Sequence, residues 1–370
     1  MLGRARSNRR LDVMLAGVVA ALAALIILAA VPGPNHDHAL ARDPLDLSSL
    51  RGLGLALERT GQSDQAEAVM RFVGARTWRD GPTQVWLLRR RLDQGRYQDA
   101  FRSADALLRR DAEETTRPVL FPLLVAAAAY DDARPALVAR LAAAPWWRGD
   151  FLRTLAVHGR VLGTASVFTE LANTATPPTP AEYAPFVDRL VGEGDYAGAF
   201  AVWRRVVRAR GVPDQGLRDG DFTGRFDGAP FTWSVAAGAG GESETGPAPD
   251  GAPGWALRVT YDGFSSPSLP TQLLVLSPGI YRVSWRQRIA PPSPERLFWR
   301  IRCADSGLTA ARAPVEGRTA TNTRWRDMAM AVVIPASGCA GQWLELATAA
   351  GERRRPVEAW FAGFRLRSAS

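Results

Sequence analysis

The sequence of 370 residues predicts a multidomain α plus β protein with an N-terminal transmembrane helix, a set of α-helical repeats and an antiparallel β-sandwich. Three observations predict this order. Residues 13–31 carry no charge, a short motif recurs between residues 45 and 210, and short runs of alternating apolar and polar residues follow Arg210. Because 46% of the residues are hydrophobic, the chain can bury more than one core, which excludes global disorder.

The N-terminus has the pattern of a membrane anchor. Four arginines come before the uncharged run from Val13 to Val31: Arg4, Arg6, Arg9 and Arg10. At about 1.5 Å per residue the run covers ~29 Å, close to the ~30 Å hydrocarbon core of a bilayer. The positive flank predicts a cytoplasmic tail over residues 1–12, an anchor over 13–31 and a linker over 32–44. We therefore expect a single-pass protein of the bacterial inner membrane, with its C-terminal bulk in the periplasm.

A cleaved signal peptide is the alternative, because Ala39-Leu40-Ala41 resembles a processing site. The apolar run is longer than the usual ~7 to 15 residues of a signal peptide, so the sequence favours an uncleaved anchor.

The charge composition disfavours a nucleic-acid partner. All 46 basic residues are arginines, and with 37 acidic residues they give a net charge of +9. The arginines are spread along the chain together with the acidic residues and form no basic arm. Only three histidines and two cysteines are present, so we predict no metal site. Cys303 and Cys339 lie 36 positions apart, and in an oxidising compartment we expect them to form a disulfide; two buried free thiols are the alternative.

A motif of glycine followed by alanine recurs between residues 45 and 210. Gly61-x-Ser63-x-x-Ala66 returns as Gly95-x-Tyr97-x-x-Ala100 and as Gly194-x-Tyr196-x-x-Ala199. Ala66 and Ala100 are 34 residues apart, and Ala199 follows after three steps of 33. This spacing predicts a repeat made of paired helices.

The repeat region resembles the tetratricopeptide repeat (TPR) family. Leu50-x-x-Leu53-Gly54-x-x-Leu57 stands where the family has W-x-x-L-G-x-x-Y, and Ala66 stands at the small residue where two helices cross. The resemblance implies about five helical pairs in a TPR-like solenoid over residues 45–210, with a surface that binds a protein partner. Three prolines must then lie at helix starts or kinks: Pro118, Pro122 and Pro135.

Residues 219–370, after a linker over 211–218, have the pattern of an antiparallel sandwich. Short alternating runs such as Ile280-Tyr-Arg-Val283-Ser-Trp285 are separated by stretches rich in proline and glycine. If the alternation holds throughout, Trp255, Trp285, Trp299 and Trp360 all point into the core.

The order of these runs resembles the jelly-roll carbohydrate-binding modules of the CBM4/9 and galactose-binding-like type. Asp219-Gly-Asp-Phe222 stands for the opening N-G-D-F of the family, and Ser277-Pro-Gly279-x-Tyr281 stands for a later P-G-x-Y element. The resemblance implies a jelly roll that binds a glycan. Thr223 and Ala362 or Gly363 stand where acidic residues are common, which disfavours the structural calcium of the family, and we expect no cofactor.

The same alternation leaves a row of arginines outside the core. If the strands concerned share one sheet, its outer face carries Arg282, Arg286, Arg288, Arg300 and Arg302. Guanidinium groups bind carboxylate, sulfate and phosphate in a forked geometry, so we predict that these arginines bind an anionic polysaccharide. The alternative is an ordinary solvated face whose arginines pair with local acids.

No motif for catalysis is present, so we predict no catalytic residues and no enzyme. The sequence lacks G-x-S-x-G and H-E-x-x-H, and three scattered histidines supply little general-base capacity. We expect a non-enzymatic scaffold, with repeats that bind a protein and a sandwich that binds a glycan, in envelope polysaccharide assembly or export. An adaptor that binds proteins and no sugar is the alternative. A glycan-active enzyme, with paired carboxylates such as Asp219 and Asp221, is the third possibility.

Overall fold

The computed structural model describes residues 40–110, 115–208, 216–224, 228–235, 240–290, 297–315, 324–349 and 354–369. Contacts between residues divide the chain into two compact units, Met1–Pro178 and Thr179–Ser370. The division falls inside the predicted repeat region 45–210, so the last helical pair of that region belongs to the same unit as the β-strands.

The first unit consists of short helices, and the first four of them pack as two consecutive pairs. Its described residues form α1 (Leu47–Arg59), α2 (Ser63–Arg76), α3 (Gly81–Asp93), α4 (Tyr97–Arg110), α5 (Arg117–Ala128), α6 (Arg134–Ala142), α7 (Arg148–His158) and α8 (Val161–Ala172). Pro118 and Pro135 lie in the first turns of α5 and α6, and Pro122 lies inside α5. These positions agree with the expected helix starts and kinks.

The recurring glycine and alanine have the same structural roles in each copy of the motif. Gly61 and Gly95 follow α1 and α3 in the left-handed backbone region, with φ of +79° and +69°. Ala66 and Ala100 are completely buried in the next helix of each pair. Glycine is favoured where the chain leaves a helix with positive φ, and alanine where two helices lie close together. The assignment of these pairs to the TPR family stays a prediction.

The predicted location in the inner membrane needs correction. In the part of the chain that the structure describes, no helix is long and apolar enough to cross a membrane. The longest of these helices have 14 residues, about 21 Å at 1.5 Å per residue, which is shorter than a hydrocarbon core of ~30 Å. The structure therefore does not support a single-pass inner-membrane protein. The predicted span, residues 13–31, lies outside the described residues.

The second unit combines one helical pair with two antiparallel sheets. The pair is α9 (Pro180–Gly192) and α10 (Tyr196–Arg208). The strands are β1 (Gly241–Pro247), β2 (Trp255–Tyr261), β3 (Thr271–Leu274), β4 (Gly279–Ala290), β5 (Leu297–Cys303), β6 (Thr309–Pro314), β7 (Arg326–Ile334), β8 (Gln342–Thr348) and β9 (Val357–Ser368). A five-stranded sheet has the order β1-β2-β9-β4-β7, and a four-stranded sheet has the order β3-β8-β5-β6. The predicted antiparallel β-sandwich is confirmed.

The core between the sheets is rich in aromatic side chains. Trp299 contacts Phe361 and Phe364 with ring centroids 5.2 and 4.8 Å apart, and the Trp285 ring stacks on Phe364 at 5.5 Å. At the margin of this core Cys303, the last residue of β5, is joined to Cys339 by a disulfide, which confirms the predicted pairing.

Helix α10 packs against segments that lead into the four-stranded sheet. Phe200 and Trp203 contact Phe231 with ring centroids 5.2 and 5.4 Å apart, and a side chain at Gly341 would collide with the Tyr196 ring. The Arg218 guanidinium lies 5.0 Å from the centre of the Trp203 ring. These contacts make α10 part of the same packed unit as the sandwich.

Candidate functional site

The structure divides the five predicted arginines between the two sheets. Arg282, Arg286 and Arg288 lie on β4, which pairs with β7 and β9 in the five-stranded sheet. Arg300 and Arg302 lie on β5, which pairs with β6 and β8 in the four-stranded sheet. The five side chains therefore do not share one face, because the two strands that carry them belong to opposite layers of the sandwich.

The β5 arginines are already held by a protein carboxylate. Arg300 Nε and Arg302 Nε lie 2.6 and 3.0 Å from the same oxygen of Glu345 on β8. The Glu345 side chain is mostly buried, and each arginine side chain is about one-third exposed. This pairing is the arrangement expected of a structural ion pair rather than an open anion site.

The outer face of the five-stranded sheet is centred on Trp360 of β9. Gly363 adopts φ of +67°, and the pairing of β9 with β4 shifts between Ser284 and Arg286. This irregularity is a β-bulge, and it changes which side chains of β9 face the core. Ala359 and Phe361 are completely buried, whereas Trp360 is only partly buried and packs outside the main core. The prediction that Trp360 points into the core is wrong. The extra residue of the bulge at Gly363 shifts the alternation of inward and outward side chains, so the pattern of residues 364–368 does not extend to residues before Gly363.

Trp360 lies between two arginines of the neighbouring strands. In the sheet register Arg258 of β2 is opposite Trp360 on one side and Arg288 of β4 on the other. The Arg288 guanidinium carbon lies 4.4 Å from the Trp360 ring centre, and its Nε lies 2.7 Å from a carboxylate oxygen of Asp250. With its side chain only 11% exposed, Arg288 is fixed against the ring.

Arg258 is held by two glutamates from the strands on either side of β2. Its NH1 and Nε lie 2.6 and 2.5 Å from oxygens of Glu244 on β1 and Glu358 on β9. The pKa of Arg258 is raised, chiefly by its hydrogen bond to Glu244 and secondly by its hydrogen bond to Glu358. The row from β1 to β4 therefore presents carboxylate, guanidinium, indole and guanidinium groups side by side.

The remaining two arginines of β4 have no carboxylate partner in the described part of the chain. Arg286 lies over Trp325, with its guanidinium carbon 5.5 Å from the ring centre, and Arg282 is exposed. Small side chains lie beside the two indoles: Ala248, Ala256 and Ala362 are buried in one cluster with Trp325 and Trp360 packed against it. The outer face thus has a shallow apolar floor next to guanidinium groups that can accept an anion.

We name the outer-face residues Trp360, Trp325, Arg258, Arg282, Arg286 and Arg288 the indole–arginine face. The strand alternation predicted the outward position of the three β4 arginines but not that of either indole. Trp255 was also expected in the core, yet it lies at the start of β2 with 45% of its surface exposed. Among the described residues no group of three metal-ligating side chains comes together.

Comparisons with known proteins give similarity of structure only. No protein-family model matches the chain, and no curated protein matches it. One similar solved structure is the CBM22-1 xylan-binding domain from Paenibacillus barcinonensis Xyn10C, at 14% identity over 42% of this chain and 91% of that chain, with a TM-score of 0.29.

Two further solved structures are also carbohydrate-binding modules. The family 16 carbohydrate-binding module-2 is 13% identical over 42% of this chain and 100% of that chain, with a TM-score of 0.30. A CBM4 structure is 10% identical over 38% of this chain and 88% of that chain, with a TM-score of 0.28. At these identities and TM-scores the neighbours assign no ligand to this chain.

Proposed function

We propose that the β-sandwich is a non-catalytic module that binds an acidic glycan through the indole–arginine face. The observation that carries the proposal is the outward position of Trp360 between Arg258 and Arg288. Trp360 is only partly buried, and the part of its indole that Arg288 does not cover offers an apolar surface for the C–H face of a sugar ring. Guanidinium and carboxylate groups beside it supply hydrogen-bond donors and acceptors for sugar hydroxyls.

The preference for an acidic glycan rests on the arginines of β4. Arg258 and Arg288 already have carboxylate partners, so they help to fix the face rather than to attract a new anion. Arg282 and Arg286 have no such partner among the described residues and lie on the same strand. Each exposed ion pair contributes only ~0 to 1 kcal/mol, so useful affinity requires repeated contacts along a polymer.

The structure also changes the earlier hypothesis about which arginines bind. Arg300 and Arg302 are on the opposite sheet and share Glu345, so we leave them out of the proposed site. A wider role as a scaffold in polysaccharide assembly or export stays a prediction.

Affinity electrophoresis in gels that contain an acidic polysaccharide such as polygalacturonate, or neutral xylan, tests the proposal. We expect the acidic polymer to retard the full chain, and about 1 M salt to abolish the effect, because screening there acts over ~3 Å. Trp360→Ala should weaken the retardation about tenfold or more in apparent affinity, since truncation of a central aromatic contact residue costs ~2 kcal/mol or more. Trp146→Ala, at an exposed indole of the first unit, is the matched control.

The charge contribution has its own matched pair of variants. Arg282→Gln with Arg286→Gln removes two charges from the face, and Arg204→Gln with Arg205→Gln removes two charges from exposed positions on α10. We expect the first double variant to lose binding to the acidic polymer and the second to keep it. Equal loss in both would show that only the net charge of +9 attracts the polymer, and the proposed site would be refuted.

A further inference from the structure

The helical unit carries a second concentration of arginines, in a groove that the glycan proposal does not use. One half of the groove has a volume of about 490 Å³ and is lined by Arg79, Arg102, Arg109, Arg110 and Arg140. The other half, of about 560 Å³, is lined by Arg71, Arg91 and again Arg102. Trp78 lines both halves and is 52% exposed. We name this surface the arginine groove.

Few carboxylates balance these cations. Among the described lining residues Asp105 is the one acid, and it is already engaged. Its oxygens accept hydrogen bonds from Trp147 Nε1 at 2.9 Å, Arg109 Nε at 3.0 Å and Arg140 NH1 at 3.3 Å. Arg71 and Arg79 are exposed and have no ion pair within the part of the chain that the structure describes. The groove therefore has an excess of positive charge that an anionic ligand would neutralise.

A buried donor at the bottom of the groove is an independent observation. Gln84 on α3 is completely buried and lines the groove, and its Oε1 accepts a hydrogen bond from Ser103 Oγ at 3.0 Å. Its Nε2 has no hydrogen-bond partner in the structure, and neither does the buried Nε of the neighbouring Arg91. Burial lowers the pKa of Arg91, and the charges of Arg96 and Arg71 lower it further. A buried donor without a partner costs free energy, and an acceptor from a water molecule or a ligand would offset that cost.

The groove also has an apolar floor, which distinguishes among anionic ligands. Leu87 and Ala75 line it together with Ala106 and the exposed Trp78. A polyphosphate has no apolar group to cover such a floor. A peptide can place an apolar side chain there and carboxylates against the arginines, while its backbone carbonyls accept hydrogen bonds.

We propose that the arginine groove binds an extended acidic peptide segment of a partner protein, with acidic residues on both sides of an apolar or aromatic side chain. Arg71 and Arg79 bind the carboxylates, and Trp78 and Leu87 contact the apolar side chain. This proposal is independent of glycan binding, because all of its residues lie in the first unit.

Fluorescence anisotropy with the full chain and a labelled peptide tests the inference. The probe is a short peptide of alternating Asp and Glu around one Phe, and the control peptide has Asn and Gln at the acidic positions. We expect the acidic peptide to bind and the neutral peptide to bind about tenfold or more weakly, since each ion pair adds little but several act together. Equal binding of both peptides would overturn the proposal.

Matched variants locate the binding. The double variant Arg71→Gln with Arg79→Gln should bind the acidic peptide about fivefold to tenfold more weakly than the wild type. The control double variant, Arg59→Gln with Arg160→Gln at exposed positions outside the groove, should bind it with unchanged affinity. Ala75→Trp fills the groove at an exposed helix position without a change of charge, and it should also abolish binding. Circular dichroism should show the same helix content in all variants. Equal effects in groove and control variants, or no effect of Ala75→Trp, would overturn the groove assignment.

Competition separates the ligand classes. Trp360→Ala should leave peptide binding intact, because Trp360 belongs to the glycan proposal and not to the arginine groove. The two proposals can therefore fail separately. If polyphosphate or polygalacturonate displaces the peptide at equal charge concentration, the groove selects charge alone and the peptide assignment is wrong.

Discussion

Gly363 is the residue on which the proposed glycan site depends. Its φ of +67° belongs to the left-handed region, where residues with a Cβ atom are strained. A Cβ atom at this position would meet only Arg286 Nε, at 3.8 Å, so space is not the constraint. The glycine is required by the backbone conformation of the bulge, and the bulge places Trp360 outside the core.

Replacement of Gly363 tests this interpretation. We expect Gly363→Ala to lower the free energy of unfolding by about 1 to 2 kcal/mol, the cost of the left-handed conformation. Urea denaturation measures the change. Gly246→Ala is the control, because Gly246 lies in β1 without positive φ and a Cβ atom there would meet nothing within 4 Å. A Gly363→Ala variant as stable as the control would contradict the role given to the bulge.

The alternation of apolar and polar residues correctly predicted which side chains face the core where the strand pairing is regular. On β4, Val283 and Trp285 are buried, and Arg282 is exposed, as expected, because the pairing of β4 with β7 runs without interruption. On β9 the same reasoning failed at Trp360. A bulge depends on the φ of one glycine, and a sequence that contains 34 glycines does not show which of them adopts it.

At the scale of elements, sheet membership was the information that the sequence lacked. β4 and β5 are neighbours in the chain and have the same alternation, yet β5 pairs with β8, for example Arg300 with Glu345. Strand pairs that are distant in sequence follow from the packing of the whole sandwich rather than from local pattern. The helical motif was easier to predict, because a glycine at a helix end and an alanine at a helix crossing are both local requirements.

Helix α1 supplies a prediction about pH. Its N-cap, Asp46, accepts hydrogen bonds from the backbone N–H groups of Ser49 at 2.9 Å and Ser48 at 3.4 Å, and from Ser48 Oγ at 2.8 Å. The pKa of Asp46 is lowered to about 2 from its ordinary value of 3.8, chiefly by hydrogen bonds from Ser49 and secondly by those from Ser48. A lowered pKa means that the ionised carboxylate stabilises the folded helix.

The stabilisation by Asp46 is complete above the ordinary pKa and is lost as the pH falls towards about 2. Asp46→Asn keeps a capping side chain that does not titrate. We expect the wild type to have the higher thermal midpoint at neutral pH and the difference to narrow between pH 4 and pH 2, measured by circular dichroism. Because both proteins share every other carboxylate, a difference that does not change with pH would contradict the assigned pKa.

At the scale of the whole molecule, the two units carry two separate arginine-rich surfaces. The indole–arginine face belongs to Thr179–Ser370, and the arginine groove belongs to Met1–Pro178. Each surface has arginines without a carboxylate partner among the described residues, and each has apolar side chains beside them. The arginine groove has an excess of cationic side chains, whereas on the indole–arginine face three carboxylates already pair with Arg258 and Arg288.

The division of the chain at Pro178 predicts that α9 and α10 stabilise the β-sandwich. The fragment 179–370 retains α9 and α10, whereas the fragment 216–370 lacks the contacts of Trp203 and Phe200 with Phe231. Trp203 and Phe231 are almost completely buried in the intact unit, and each buried aromatic side chain contributes ~1.5 to 3 kcal/mol.

We therefore expect the shorter fragment to be less stable by about 3 kcal/mol or more in urea denaturation. The stability of the Trp203→Ala variant of the longer fragment should lie between the stabilities of the two fragments. This substitution removes one of the rings in contact with Phe231 and leaves the helical pair in place. If the fragments 179–370 and 216–370 unfold at the same urea concentration, α9 and α10 contribute nothing to the sandwich. The predicted boundary at residues 211–218 would then describe the folding units better than the division at Pro178.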